Sequence, residues 1–551
     1  MPQETYTLTL SMHSLQTIAA VSAILFLTLI TRAVLGVVGE KRPNLWPEVM
    51  HKTWAKWTVS IIGPLFFFAL CAAFAVVYDT IHNVFFPPTS GASSPNLGAG
   101  ALIAALLGAP FVIWGTYIKY QSLGFQREGH ITDRISKAVE QLGAEKTLKR
   151  VDAAGLSMEE TVPNIEVRIG GLLSIERIAQ DSVKYDKGRD HVRMMEILCA
   201  YIRNNAPASG AVAMPELPSW EYDRTVQQTQ QRFEYLKNWK TQLTKPREDI
   251  QLALNIIGRR DAVQRGYEAR WGGDANIDRQ WVFDIPCPKL TEDSDPKHAA
   301  TPKSSQAKMS AWEAQINSYT GYRLDLRDTN LQCADLSHLV LSGAQLDNSL
   351  LQGADLKHTR LQGAHLRLAQ MQGAELWDAQ LQGADLLDAQ LQSAILIGAK
   401  LQGAYLIRTQ LQGALLERAQ LQRTNLIDAQ LQRADLRRSQ LRGALLDGAQ
   451  LQRASFFGAR LQGASLKYAQ LQGVLWEGAI LQQVALRATK MDPAFGLTKS
   501  QLASTFGDGS VRLPEAPPRP AHWPEAALDD NSFASELTKW RASPDTYLPP
   551  S

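Results

Sequence analysis

The feature that most constrains this chain is a ten-residue repeat that runs through its second half. A representative stretch is LQGADLLDAQ at 381–390, and Leu or Met returns at every tenth position from 351 to 481. Each ten-residue unit contains two five-residue units of the form A-x-L-x-x, with a small residue two positions before the central Leu. An apolar residue at every fifth position fits neither the period of an α-helix nor that of a plain strand.

A period of five requires a backbone that turns a corner every five residues. Four corners close a square coil of about 20 residues, with Leu pointing to the axis and Ala small enough to fit beside it. Stacked coils can then pair backbone to backbone at about 4.8 Å, as neighbouring strands do. The pattern therefore predicts a square β-helical rod in which residues 20 apart lie one above the other.

The repeat resembles the pentapeptide-repeat family, whose fold is a right-handed quadrilateral β-helix, from about Leu324 to Met491. About 33 consecutive units match, with few lapses. One lapse is Trp476, which is oversized for a central position and predicts a distorted coil. The helical segments before the repeat are similar to those of some bacterial membrane-bound members. The resemblance implies no catalytic residues.

Three apolar stretches precede residue 120, near 12–31, 57–78 and 98–118. Each has about 20 residues, the length that crosses a bilayer as a helix, although buried core helices are the alternative. Lys and Arg cluster between the first two stretches and after the third, which places the N-terminus outside. We therefore expect a bacterial inner-membrane protein whose transmembrane helices contact membrane lipid and whose later domains are cytoplasmic.

Apolar residues at spacings of three and four predict amphipathic helices after the third stretch. The predicted helical faces centre on Ile135, Ile175 and Leu198, and three such helices pack as a small HEAT-like domain. A further helix is expected from near Pro246, and the polar stretch 288–310 is expected to be mobile.

The predicted fold class is thus a multidomain membrane protein with three transmembrane helices, a helical domain and a β-helix. The predicted domains are a membrane domain at 1–118, a helical domain at 119–205, a linker with further helices at 206–320, the repeat at 321–491, and a C-terminal cap with a Pro-rich tail at 492–551.

Opposite faces of the rod carry similar sequences, because ten residues make half a coil. Two faces carry the repeated AQLQG, whose stacked Gln side chains can hydrogen-bond along a column. The other two faces are variable, so we expect recognition there. Outward apolar side chains stack on both variable faces and indicate a contact site, although scattered surface apolar residues are normal. They are Leu387, Ile407, Ile427 and Tyr405 on one face, and Trp377, Ile395, Ile397 and Leu415 on the opposite face.

Charge is uneven along the repeat. Residues 321–390 carry nine acidic and five basic side chains, whereas residues 391–490 carry five acidic and thirteen basic ones. The basic half forms a candidate patch for an acidic partner, with solvated charge as the alternative. Its members are Arg423, Arg433, Arg437, Arg438, Arg442 and Arg453. Some family members imitate DNA and bind topoisomerases, but an overall basic rod disfavours that role, and no nucleic-acid partner is expected.

Nothing in the sequence has the pattern of an enzyme. There is no Ser-His-Asp motif, phosphate loop or HExxH, and the four cysteines show no zinc or disulfide spacing. His338 and His358 stack above Asp378, but two ligands on a polar surface make a weak metal site, so no metal or cofactor is expected.

We therefore expect a non-enzymatic, membrane-anchored interaction scaffold that binds an unknown protein or a second copy through the repeat. The alternatives are a regulatory part of a membrane transport or channel complex and, less favoured, a topoisomerase-directed DNA mimic.

Overall fold

The computed structural model describes residues 131–151, 157–185, 188–212, 241–271, 280–288 and 303–550, with seven isolated positions between 115 and 239. The chain divides into two compact units, residues 1–130 and 131–551. All the elements named below belong to the second unit.

The predicted membrane-spanning helices are corrected by the structure. Within the described residues, no helix combines the length and the apolar character needed to cross a bilayer. The longest helix among the described elements, α1 (Ile165–Tyr185), has 21 residues but carries Glu, Arg, Asp and Lys side chains along its length, which are costly in hydrocarbon. The fold class that the structure supports therefore does not include the three predicted transmembrane helices. The predicted spans themselves lie outside the described residues, except for three positions at the end of the third.

A small helical domain precedes the rod. Helix α1 packs against α2 (His191–Asn205), α3 (Glu248–Gly258) and α4 (Ala262–Ala269). The predicted apolar faces meet in its core, where Ile175 and Leu198 are fully buried. The helix expected from Pro246 begins two residues later.

Two strands interrupt the region that was predicted to be helical throughout. Strand β1 (Glu145–Val151) pairs antiparallel with β2 (Ser157–Pro163). Lys149 lies directly opposite Glu159, and their side chains form an ion pair at 3.3 Å. Opposite charges across an antiparallel pair stabilise this register.

The repeat forms the β-helical rod that its period predicts. Parallel backbone bridges join residues 20 apart on all four faces, from Asp325–Gln345 to Gln470–Lys490. Central Leu side chains and the small residues before them are buried along the whole axis. The residue two positions after each Leu has a positive φ, as at Gly383 (+64°). Glycine suits that corner because it has no Cβ to clash.

Trp476 is accommodated without loss of the 20-residue register beside it, so the expected distortion is not seen in the adjacent backbone pairing. Its ring is fully buried and stacks on Phe456, with ring centroids 5.1 Å apart and planes 17° apart. The adjacent Ser455–Leu475 bridge keeps the spacing of 20 residues. Two large rings on consecutive coils therefore fill the axis together. The strands β3 (Val474–Leu475) and β4 (Ala494–Phe495) pair beside them.

The helical domain covers the first coil. The Val340 amide donates to the Gly258 carbonyl at 2.8 Å, and the Asn330 amide donates to the Ala206 carbonyl at 2.7 Å. The helical and rod interiors form one continuous apolar core. The open edge of the coil is thus paired and covered, as an exposed sheet edge needs to be.

The C-terminal segment covers the last coil. Helix α6 (Lys499–Ala503) places Leu502 in the core, and Phe506 pairs with the rod backbone at Ala485. Helix α7 (Asp530–Ala542) packs buried aromatic side chains on Phe506. This end is therefore closed by side chains rather than left as a free edge.

Candidate interaction surfaces

The rod has four faces, which we name from one representative coil. Face A contains 369–373, face B 374–378, face C 379–383 and face D 384–388, and each recurs every 20 residues. Faces A and C carry the Gln-rich units, whereas faces B and D carry the variable ones.

The predicted apolar column on face D is a continuous feature of three coils. Leu387, Ile407 and Ile427 follow one another on successive coils. The Asp388 amide donates to the Ile407 carbonyl at 3.1 Å, and the Arg408 amide donates to the Ile427 carbonyl at 2.9 Å. All three side chains are half-buried, and Tyr405 beside them is 36% exposed. An ion pair between Arg408 and Asp388 at 2.6 Å borders the column.

The predicted apolar residues on face B also lie together. Trp377 is 41% exposed, and the half-buried Ile397 follows it on the next coil; Ile395 and Leu415 are also half-buried and are bridged to each other. Sequence reasoning missed further exposed apolar side chains on the two variable faces. The register of 20 residues would have found them, namely Phe457 and Leu475 on face B and Leu368 and Leu445 on face D.

The predicted basic residues do not form one patch. They are divided among three faces: Arg433 and Arg453 on face A, Arg437 and Arg438 on face B, and Arg423 and Arg442 on face C. Arg437 pairs with Asp435 at 2.6 Å, and Arg423 pairs with Glu313 at 3.5 Å. A single polyanion surface made of all six residues is therefore absent.

The predicted histidine pair is stacked. The His338 and His358 rings lie 4.8 Å apart between centroids, with planes 21° apart. In the part of the chain that the structure describes, no group of three or more His, Cys, Asp or Glu side chains could hold a metal ion.

Face C is partly covered by a helix of the same chain. Helix α5 (Lys303–Asn317) occupies part of the stretch that was expected to be mobile. Its Ile316 and Trp312 lie against Gly383, and its Met309 lies against Gly403. Contacts on successive coils thus come from residues three or four apart on α5. They match because a helical turn rises 5.4 Å and the coils are about 4.8 Å apart.

Burial changes the ionisation of several groups around these contacts. Burial raises the pKa of Glu313 on α5, and the Arg423 guanidinium acts in the opposite direction. Burial also raises the pKa of the Cys199 thiol to about 11, and that of Cys287 to about 12. Both thiols are therefore protonated at neutral pH and are poor nucleophiles.

The Gln columns bond diagonally rather than straight along each column. On face A, the amide nitrogen of each Gln after a central Leu donates to the Gln before the central Leu of the next coil. This ladder is unbroken over six steps of 2.5–2.7 Å, from Gln352–Gln370 to Gln452–Gln470. The ladder therefore ties neighbouring coils together across the face.

Face C has the same ladder, but with interruptions. Steps form at Gln362–Gln380 and Gln402–Gln420, but Lys400 stands where the acceptor for Gln382 would be. A groove of about 560 Å³ runs over this region, between the Gln side chains and the segment 283–288.

The rod identifies the family of the chain. Eight copies of the family model "Pentapeptide repeats" match, and the matched segments span residues 323–472. The chain therefore belongs to the pentapeptide-repeat family through its rod. The comparisons indicate no catalytic family, and no curated protein matches significantly.

Several solved structures are similar to parts of this chain. HetL, involved in heterocyst differentiation regulation in the cyanobacterium Nostoc sp. strain PCC 7120, is 26% identical over 40% of this chain and 92% of its own, with a TM-score of 0.24. QnrB1, a plasmid-mediated fluoroquinolone resistance protein, is 17% identical over 32% and 85%, with a TM-score of 0.25. A protein of the Arabidopsis thaliana thylakoid lumen is 29% identical over 17% and 68%, with a TM-score of 0.14.

Proposed function

We propose that this is a non-enzymatic protein-interaction protein whose rod binds a protein partner through apolar side chains on its variable faces. The observation that carries the proposal is the column of Leu387, Ile407 and Ile427 on three consecutive coils of face D. An apolar run of this kind, bordered by ion pairs, is the pattern of a protein contact.

The opposite face supports the same function. Trp377 on face B is exposed and is followed by Ile397 at the same position of the next coil, and Trp and Tyr are the residues that most often dominate binding energy at interfaces. Tyr405 provides the corresponding aromatic group on face D. The charge of the repeat argues against DNA mimicry, because basic residues outnumber acidic ones.

The size of the effect can be estimated from the burial of the face D column. Each half-buried aliphatic side chain would gain about 1 kcal/mol on full burial, so the three together contribute about 3 kcal/mol. A loss of that size weakens binding by about 150-fold.

The test is crosslinking in cells that express the full chain, followed by identification of the captured proteins. One variant carries Leu387→Glu, Ile407→Glu and Ile427→Glu, and its matched control for face B carries Ile395→Glu, Ile397→Glu and Leu415→Glu. Both sets leave the central Leu residues in place, and circular dichroism checks that each variant is folded.

We expect the face D variant to lose a specific crosslink that the wild type makes, and light scattering then shows whether the lost partner is a second copy. Loss in the face B variant alone would assign the contact to that face. Identical crosslinks in the wild type and both variants would remove the apolar surfaces as binding sites.

A further inference from the structure

The interruption of the face C ladder at Lys400 leaves the Gln382 amide without its usual acceptor in the groove. Gln382 is only 6% exposed, and its Nε2 atom, which is the donor at the intact steps, has no Gln to donate to here; its Oε1 atom lacks a partner as in most other Gln residues of the two ladders. Lys400 replaces the Gln that accepts the hydrogen bond at other steps, and an ammonium group can only donate. Among the described residues, no carboxylate pairs with Lys400. The step therefore lacks an acceptor.

The charges of face C all have one sign. Its units from 339–343 to 459–463 contain Arg or Lys side chains and no acidic residue. Two of these cations already bind carboxylates of the same chain: Arg360 pairs with Asp284 at 2.8 Å, and Arg423 pairs with Glu313. Lys400 lies on a coil between them, so the face has filled carboxylate sites on either side of an open one.

We propose that this groove binds an acidic peptide segment of a partner protein, with one of its carboxylates accepting hydrogen bonds from Lys400 and the Gln382 amide. The inference shares the proposed protein-interaction function but uses a different face and different residues. A carboxylate supplies the missing acceptor and satisfies the Lys400 charge in a partly enclosed site.

The dimensions and lining of the groove fit a peptide. Gln362 to Gln422 spans three coil intervals, about 14 Å, which is the length of about four extended residues. The neighbouring Gln side chains offer amide groups of the kind that pair with a peptide backbone. A nucleic acid instead needs a run of cations along its phosphates, and here Arg360 and Arg423 are already paired.

The test measures binding of a fluorescein-labelled hexaglutamate peptide to the full chain by fluorescence anisotropy at low salt. The test variant is Lys400→Gln, which installs the ladder residue present at Gln380 and Gln420 and is therefore compatible with the fold. The matched control is Lys467→Gln on face D, which removes the same charge from an ion pair with Asp447.

We expect Lys400→Gln to weaken peptide binding by about tenfold or more and Lys467→Gln by less than about twofold. The triple Glu variant of the face D column should bind the peptide as the wild type does, which separates this site from the proposed apolar contact. Absence of binding to the wild type, or equal losses in the two Lys variants, would overturn the proposal. So would tighter, Lys400-dependent binding of a labelled oligothymidylate.

Discussion

Substituting Gly363 by Ala tests whether the glycine column of face C is what allows helix α5 to lie against the rod. A Cβ built at Gly363 would lie 2.5 Å from Cε1 of Phe283 and 2.6 Å from Cγ2 of Ile316. Both neighbours are only 2% exposed, so neither has open space to move into. The substitution should therefore push α5 and the segment 283–288 away from face C.

The chain contains a matched control for the backbone effect. Gly463 lies in the same column with a φ of +69°, close to the +60° of Gly363, and a Cβ there meets no heavy atom within 4 Å. Left-handed backbone costs a non-glycine residue about 1–2 kcal/mol at either site. Overpacking adds about 1–3 kcal/mol at Gly363 alone. The difference between the two variants is thus about 1–3 kcal/mol, or a factor of about 5 to 150 in the opening of α5.

Hydrogen exchange of the backbone amides reports this opening directly. In Gly363→Ala, the α5 amides should exchange faster than in the wild type by that factor, because local opening limits their exchange. In Gly463→Ala, the same amides should keep wild-type protection. Equal protection of α5 in the two variants would refute the view that the glycine column seats this helix.

Three further predictions concern a corner residue, the pH dependence of an ion pair, and a buried charge. Arg418→Gly should raise the free energy of unfolding by about 0.5–1 kcal/mol in urea titrations, because the Arg φ is +57° and its ion pair is long at 3.8 Å. The Arg327 hydrogen bond lowers the pKa of Asp325, so this carboxylate stabilises the fold above its unfolded pKa of about 3.9, and the contribution is lost as pH falls through the folded pKa. Thermal unfolding of Asp325→Asn should lack that acid-dependent loss, and an unchanged pH profile would exclude the assignment. Glu268→Ala should cost about 3–5 kcal/mol in urea, since it leaves the buried Arg260 charge, now paired at 2.6 Å, without a carboxylate; a loss below about 1 kcal/mol would contradict this.

The sequence was sufficient for the rod because the rod follows from local sterics. A central Leu with a small residue two before it dictates an inward side chain and a corner every five residues, and the period of 20 then fixes which residues share a face. The grouping of Leu387 with Ile407, and of Ile395 with Leu415, follows from that arithmetic alone. The presence of Gln columns also followed from it, although the diagonal direction of their bonds did not.

The amphipathic patterns in the helical region gave a mixed result. The faces through Ile175 and Leu198 are buried as predicted, but Val139, which lies four residues after Ile135 on the predicted apolar face, is 43% exposed. The β1–β2 hairpin was missed because its charged residues pair across strands, which a search for helical spacing does not detect.

Contacts between distant segments had no signature that the period could reveal. Phe283 lies against Gly343 and Gly363, and the Asn330 amide donates to the Ala206 carbonyl, although the two partners of each contact are far apart in the sequence. Gly recurs every 20 residues on face C, but it recurs on face A too, where a Cβ at Gly373 would meet no heavy atom within 4 Å, so the recurrence alone did not indicate a docked helix. Which helix fills that column, and how Lys400 comes to lie in a groove, depends on side chains brought together only when the chain has folded.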